Sequence, residues 1–197
     1  MPRVDTDDFY RTALAAHGET AQGVHWNSTA SQQLRFQILR QLLPTDLSGF
    51  TLVDVGCGFG DFYCYLEQRG EPPRKYIGLD IMEPMVATAR IRTGCDILLR
   101  DVLTDALPSA DYYVCSGAMN TLTRKETRLF IKNCFTASRV AFGFNLLKGR
   151  NTSFTYNFYQ PIEIVQIAQE LGAECQIEDE YMSEDFTALF VKKPEQV

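Results

Sequence analysis

The sequence predicts an α/β fold with a doubly wound, mostly parallel seven-stranded sheet that ends in an antiparallel strand pair. Three observations predict it. Short apolar segments with strand character alternate with helical patterns from residue 50 onward. The first of these strands runs directly into a glycine-rich turn, and the last two follow each other without a helix between them. Because parallel neighbours in a sheet need a helical crossover, the alternation favours five parallel strands before the closing pair.

The N-terminal part of the chain precedes this pattern and is predicted to form a helical extension. Leu34, Ile38 and Leu42 recur at helical spacing, and a proline ends the helix. We therefore divide the chain into an extension over residues 1–45 and a main domain over residues 46–197.

The first half of the main domain contains three predicted strands. The first ends at Val55, and a helix follows it from Asp61. The second strand covers Lys75–Ile81 and the third is a short strand at Asp96–Leu99. Pro84 lies near the start of the helix that joins them.

The second half of the domain contains the other four strands and two helices. Strands are expected at residues 111–116, 139–144, 174–181 and 186–192. Thr123 and Glu126 match a capping box that opens the first helix, and Pro161 opens the second.

The glycine-rich turn after the first strand is the most specific pattern in the chain. It runs from Asp54 to Gly60 as D-V-G-C-G-F-G. Three alternate glycines leave bare backbone on which a ligand can lie, and the free N–H groups of the next helix line the same place. In a dinucleotide fingerprint, the third glycine would fall at Asp61 or at Tyr63, so neither register fits. A tight strand-to-helix corner without a ligand is the alternative.

The D-x-G-x-G-x-G pattern resembles the first motif of the class I (Rossmann-like) S-adenosylmethionine-dependent methyltransferases. The resemblance extends from about residue 50 to the C-terminus. It implies the fold of that class and S-adenosylmethionine as the cofactor. It also implies that the turn binds this cofactor through Asp54, Gly56, Cys57, Gly58 and Gly60.

Acidic residues after the second and third strands extend the expected cofactor site. Asp80, followed by Ile81, lies twenty residues after Gly60, where a ribose-binding carboxylate is expected in a nucleotide-binding unit. A helix-capping aspartate is the alternative. The resemblance implies that an acid at the position of Asp101 accepts a hydrogen bond from the adenine amino group, while the N–H of Val102 meets the ring. Asp101 as a simple turn former is the alternative.

Further candidates lie at the same edge and in the N-terminal extension. Ser116 ends the fourth strand, and Asp105 is a weaker candidate near the adenine. Arg35 lies beside the apolar stripe, where its guanidinium would hold the methionine carboxylate of the cofactor or remain on the surface. In many methyltransferases such an extension forms a lid, in which His25 beside Trp26 would accept a proton or be structural.

Charge and cysteine content restrict the class of protein. The formal net charge of −6 argues against broad binding to nucleic acid or anionic membranes. The N-terminus lacks the apolar core of a signal peptide, and no apolar run approaches the length of a membrane span. The six cysteines contain no C-x-x-C pair, which indicates reduced thiols in a cytoplasmic protein. No ligand cluster suggests a metal site.

We therefore expect a cytoplasmic enzyme that transfers a methyl group from S-adenosylmethionine to a small-molecule acceptor by in-line displacement. The segment Ser116–Asn120 lacks the patterns typical of enzymes that methylate DNA bases or protein arginine. A methyltransferase acting on RNA or protein, and a cofactor-binding module without catalysis, are the alternatives. The oligomeric state leaves no mark in the sequence.

Overall fold

The computed structural model describes residues 6–18, 20, 23, 28–150 and 152–193. In this part of the chain, seven strands form one sheet in the order β3-β2-β1-β4-β5-β7-β6, which confirms the predicted fold class. The strands are β1 (Thr51–Val55), β2 (Lys75–Asp80), β3 (Asp96–Leu99), β4 (Ala110–Ser116), β5 (Ser138–Leu147), β6 (Glu174–Glu178) and β7 (Asp185–Val191). The helices are α1 (Thr6–His17), α2 (Thr29–Leu42), α3 (Asp61–Gln68), α4 (Glu83–Thr93), α5 (Arg124–Ala137) and α6 (Pro161–Glu170), with a 3₁₀ turn at Ala118–Thr121.

The strand order reverses direction at β1, the strand that leads into the glycine turn. β1 pairs in parallel with both β2 and β4, while β3 extends the sheet on one side and β5 on the other. β7 lies antiparallel between β5 and β6. Since ligands of such sheets bind where the order reverses, the crevice between the ends of β1 and β4 is the expected binding place.

Helices cover both faces of the sheet. One core cluster joins α2, α3 and α4 to one face, with Phe36, Phe62 and Val86 among its buried residues. The other cluster joins α5 and α6 to the opposite face, around Ile131 and Ile164. The predicted N-terminal helix is thus part of the packed layers, because its apolar stripe lies on the sheet.

The connection between β3 and β4 differs from the expected alternation of strands and helices. Residues 100–109, all of them described, form turns and irregular backbone instead of a helix. The side chain of Asp101 accepts the N–H of Leu103 at 2.8 Å, and its carbonyl accepts the N–H groups of Thr104 and Asp105. These local hydrogen bonds turn the chain back toward β4 within a short distance.

A buried ion pair ties α2 to the edge of β7. Arg35 Nε and Nη2 lie 2.7 and 2.6 Å from Oδ2 of Asp185, and both side chains are almost fully buried. The hydroxyl of Tyr181 also donates to Asp185. Burial raises the pKa of the Asp185 carboxyl, and the neighbouring guanidinium opposes this shift. The guanidinium that the sequence assigned to the cofactor therefore faces a carboxylate of the protein itself.

None of the helices in the described ranges has the length and apolar character needed to cross a bilayer.

Replacing Asp185 with asparagine removes the negative charge that faces the buried guanidinium. We expect the free energy of unfolding to fall by about 3 kcal/mol, because a buried guanidinium loses its counter-charge. Urea denaturation followed by circular dichroism measures this. The matched control is Glu170→Gln, which breaks the exposed pair with Arg128 and should cost under about 1 kcal/mol. Equal losses in the two variants would contradict the assigned role of the buried pair.

Candidate active site

A cavity lies at the carboxyl ends of β1, β2 and β4, where the strand order reverses. Its described lining comes from the glycine turn, the ends of these strands, the β3–β4 connection and the 3₁₀ turn after β4. Helices α1 and α2 and the loop before α6 contribute the opposite wall. The cavity is thus bounded by elements that lie far apart in the sequence, from α1 to the loop before α6.

The glycine turn adopts a backbone path that other residues cannot follow. Gly56, Gly58 and Gly60 have φ angles of 69°, 54° and 78°, which lie in the left-handed region. A Cβ on Gly56 would lie 2.3 Å from Cβ of Ala118, and one on Gly60 would lie 2.5 Å from Cγ2 of Thr93. Gly56 and Gly58, with Cys57 between them, line the cavity. Gly60 is not part of the described cavity lining. It lies at the start of α3, close to Thr93 and Ala89 of α4.

Asp80 joins the glycine turn to the end of β2. Its Oδ2 accepts the N–H of Gly58 at 2.9 Å and its Oδ1 accepts the N–H of Met82 at 3.0 Å. Burial raises the pKa of this carboxyl, while the backbone N–H donors oppose the rise. Asp80 lines the cavity, and Ile81 beside it is 45% exposed there. An acid with lone pairs facing a cavity can accept hydrogen bonds from neutral hydroxyl groups.

The β3–β4 connection supplies a further acid to the same cavity. Asp101 and Val102 both line it, and Val102 is buried. The N–H of Asp101 donates to Oδ2 of Asp105 at 2.9 Å. Asp105 therefore supports the loop from outside the described cavity lining, and Asp101 is the acid that faces the cavity.

The end of β4 is held by a buried amide from β5. Asn145 Nδ2 donates to Oγ of Ser116 at 3.1 Å, and its Oδ1 accepts the N–H of Gly117 at 3.0 Å. Ser116 and Gly117 line the cavity, whereas Asn145 is fully buried behind them. Ser116 is a candidate from the sequence because it ends a predicted strand. Its hydrogen bond with Asn145 follows from the pairing of β4 with β5, which the sequence alone does not give.

A buried carboxyl forms part of the cavity floor. Asp54 on β1 accepts a hydrogen bond from the hydroxyl of Tyr76 on β2 at 2.6 Å. Burial is the largest cause that raises the pKa of Asp54 to about 7, and the nearby carboxylates of Asp80 and Asp61 raise it further. The Tyr76 hydrogen bond acts in the opposite direction.

The N-terminal helices bring residues to the cavity that the sequence did not single out. Gln32 Nε2 donates to Oδ2 of Asp61 at 3.2 Å, and both line the cavity. Phe9 from α1 meets Tyr156 edge to face, with ring centroids 6.3 Å apart. Gln32 lies one helical turn before Arg35 on α2, so this helix reaches the cavity through Gln32 and Phe36.

Arg35, like Gly60 and Asp105, is a site candidate outside the described lining of the cavity. Its guanidinium contacts Asp185. The proposed proton acceptor His25 and its neighbour Trp26 lie outside the described residues. In the described ranges, no group of three His, Cys, Asp or Glu side chains is arranged to hold a metal ion.

Comparison with known proteins identifies the type of domain. Residues 52–140 match the family described as a methyltransferase domain. This range contains the glycine turn, Asp80, Asp101 and Ser116. This match identifies residues 52–140 as a methyltransferase domain. No curated protein matches the chain in sequence.

Solved structures share the fold of this chain at low sequence identity. Magnesium protoporphyrin IX methyltransferase from Synechocystis PCC 6803, with bound S-adenosylhomocysteine, aligns with a TM-score of 0.74 at 13% identity, over 95% of this chain and 98% of that one. The pyocyanin biosynthetic protein PhzM aligns with a TM-score of 0.70 at 19% identity, over 93% and 62%. A putative methyltransferase in complex with the Haloferax volcanii Trm112 activator aligns with a TM-score of 0.69 at 16% identity, over 94% and 96%.

Alanine at Gly56 tests whether the turn needs bare backbone for cofactor binding. We expect Gly56→Ala to weaken S-adenosylhomocysteine binding at least about tenfold, since the added Cβ collides with Ala118 and displaces the turn. Isothermal titration calorimetry measures the affinity. Gly70→Ala is the matched control, because Gly70 has the same φ of 69° but nothing within 4 Å of a built Cβ. Equal affinity in both variants would contradict the steric argument.

Proposed function

We propose that this protein is an S-adenosylmethionine-dependent methyltransferase that transfers a methyl group to a small-molecule acceptor. The observation that carries the proposal is the enclosure of the cavity by the chain's own side chains. Three aromatic side chains line it opposite the glycine turn, those of Phe9, Phe36 and Tyr156. A concave, largely apolar pocket with a few polar groups suits a small organic molecule better than an extended polymer. The acidic net charge also disfavours a nucleic-acid acceptor.

The residues at the cavity fit S-adenosylmethionine, which supplies the electrophilic methyl group when bound. We assign Asp80 to the two ribose hydroxyls, because its carboxylate lies at a strand end and lines the cavity. Asp101 and Val102 lie where the adenine would be held, and Ile81 offers an exposed apolar side chain beside them. The contribution of the chain is to hold the acceptor in line with the methyl group.

The cofactor would reach bare backbone at the glycine turn. Gly56, Cys57 and Gly58 line the cavity, and the two glycines, in left-handed conformations, carry no side chain of their own. Ser116 forms the neighbouring wall at the end of β4. The role of His25 as a proton acceptor stays a prediction.

Helix α1 is the part of the N-terminal extension that we propose as the lid. Phe9 on this helix reaches the cavity and contacts Tyr156 from the loop before α6. Helix α2 instead packs on the sheet through Phe36 and Leu39. The extension over residues 1–45 thus combines a structural helix with a covering one.

Tyr156 also borders a second groove, which gives the acceptor a path to the cavity. This groove shares Tyr156 with the cavity and is lined by Arg150 and Phe154 among others. Phe154 is 88% exposed, which is unusual for a phenylalanine. Two proteins of similar fold are named for small molecules, magnesium protoporphyrin IX and pyocyanin, and their names support the same acceptor class.

We also propose a cytoplasmic location. All six cysteines are free thiols, as expected in a reducing compartment.

The acceptor class can be measured without knowing the acceptor. The protein is incubated with S-adenosylmethionine carrying a tritiated methyl group and with a cell extract separated into small molecules, RNA and protein. We expect enzyme-dependent label in the small-molecule fraction, suppressed by excess S-adenosylhomocysteine. Label that appears in RNA or protein would replace this proposal with a macromolecular acceptor. Cofactor binding without label in any fraction would favour a binding module.

Tyr156 should affect the acceptor and spare the cofactor. Once the label identifies an acceptor, we expect Tyr156→Ala to lower kcat/KM for it by about tenfold, because an aromatic contact of about 1 kcal/mol and buried area are lost. The affinity for S-adenosylhomocysteine should stay within about twofold of the wild type. Tyr156→Phe keeps the ring beside Phe9 and is the matched control. A parallel loss of cofactor affinity in the alanine variant would contradict the assignment.

A further inference from the structure

We propose that binding of the cofactor's amino-acid portion expels a proton from Asp54, and that Tyr76 is the positioning residue that sets the pH at which this occurs. The inference rests on the proposed cofactor site at the glycine turn. It concerns two buried side chains on neighbouring strands, and it can be tested by proton release without any acceptor.

Asp54 is placed to meet a ligand in the cavity. It lies on β1 directly before the glycine turn, is 3% exposed and belongs to the cavity lining. Tyr76 on β2 is itself 4% exposed, and its ring packs 5.0 Å from that of Tyr63. The 2.6 Å hydrogen bond from the Tyr76 hydroxyl therefore fixes the direction of the carboxyl.

The carboxyls at this end of the cavity have different partners. Asp80 accepts two backbone N–H groups. Asp61 pairs with Arg92 at 2.8 Å and also accepts the amide of Gln32. For Asp54, the Tyr76 hydroxyl is the one side-chain partner in the described part of the chain. Asp54 is thus buried without a counter-charge, and its ionised form is disfavoured.

The surrounding charges act in the same direction as burial. The titratable and charged groups around Asp54 are Asp80, Asp61, Tyr76, Cys57, Cys115 and Arg92. The two aspartates disfavour a further negative charge, and Arg92 already contacts one of them. Burial raises the pKa of both cysteine thiols, which leaves them neutral. With a pKa of about 7, Asp54 is about half protonated at neutral pH in the absence of ligand.

A ligand ammonium group would supply the missing counter-charge. S-adenosylmethionine and S-adenosylhomocysteine both carry a protonated α-amino group. A cation near Asp54 stabilises the carboxylate, lowers its pKa and so sends the carboxyl proton to solvent, while the ligand keeps its own protons. The affinity for the ammonium-bearing ligand therefore rises with pH up to the pKa of Asp54 in the free protein and levels off above it.

Calorimetry of the whole chain with two ligands tests this linkage. Titrations with S-adenosylhomocysteine in phosphate and in Tris, whose ionisation enthalpies differ, give the number of protons released. With a pKa of about 7, we expect release of about half a proton at pH 7 and an affinity roughly tenfold lower at pH 6 than at pH 8. 5′-Methylthioadenosine has the same nucleoside but no amino-acid portion. It should bind without these effects, which separates Asp54 from Asp80 at the proposed ribose site.

Variants identify the residues responsible for the proton release. Tyr76→Phe removes the hydrogen bond that lowers the pKa of Asp54, so the affinity midpoint should move to higher pH and more proton should be released at pH 7. A merely structural tyrosine would leave the midpoint unchanged. Tyr63→Phe, in the adjacent ring, is the matched control and should keep the wild-type profile. Asp54→Asn should abolish proton release and weaken S-adenosylhomocysteine while sparing 5′-methylthioadenosine.

The outcomes separate this inference from the function beneath it. If neither ligand binds the folded protein, the proposed cofactor site is wrong and the linkage falls with it. If S-adenosylhomocysteine binds with no proton exchange in the wild type, the site stands and the linkage is overturned. Equal proton release with 5′-methylthioadenosine would also overturn it, since the nucleoside alone would then be responsible.

Discussion

The carboxylate of Asp80 is the contact on which the rest of the site depends. It accepts the N–H of Gly58 on one side and the N–H of Met82 on the other, so one side chain joins the glycine turn to the N-cap of α4. The carbonyl of Leu79, immediately before it, accepts the N–H groups of Gly56 and Cys57. Because these contacts all lie at the end of β2, the turn is held in an open shape by the protein itself.

The same constraint concentrates negative charge at one end of the cavity. Asp54, Asp61 and Asp80 all line it, and the two on β1 and β2 are almost fully buried. Burying several carboxyl groups together costs free energy of folding, and the chain is already acidic. Such a cluster is tolerated where each carboxyl has hydrogen-bond donors or a cation nearby. The three acids have different partners: Asp80 supports the turn and Asp61 pairs with Arg92. Asp54, whose partner is the Tyr76 hydroxyl, is the acid to which we assign the cationic group of the ligand. This division connects the fold to the chemistry of a cofactor that contains both hydroxyl and ammonium groups.

The sequence predicted those features that depend on neighbours along the chain. The glycine turn and the capping box at Thr123 follow from local spacing and turn chemistry, and the structure places them as expected. The strand predicted over Lys75–Ile81 is also present and ends one residue earlier, at Asp80. Contacts between distant elements were not predictable in this way. Arg35 meets Asp185 across 150 positions, and Phe9 meets Tyr156 because α1 and the loop before α6 converge at the cavity. The connection between β3 and β4 departs from the usual alternation for a local reason, the hydrogen bonds of Asp101 that turn the chain.

One titration shows directly whether Asp80 forms a ribose-binding site for S-adenosyl ligands and not for dinucleotides. The wild type and Asp80→Asn are each titrated calorimetrically with S-adenosylhomocysteine and with NAD. We expect micromolar binding of S-adenosylhomocysteine, weakened at least about tenfold in the variant, and no binding of NAD. An unchanged affinity in Asp80→Asn, or tighter binding of NAD, would contradict this assignment.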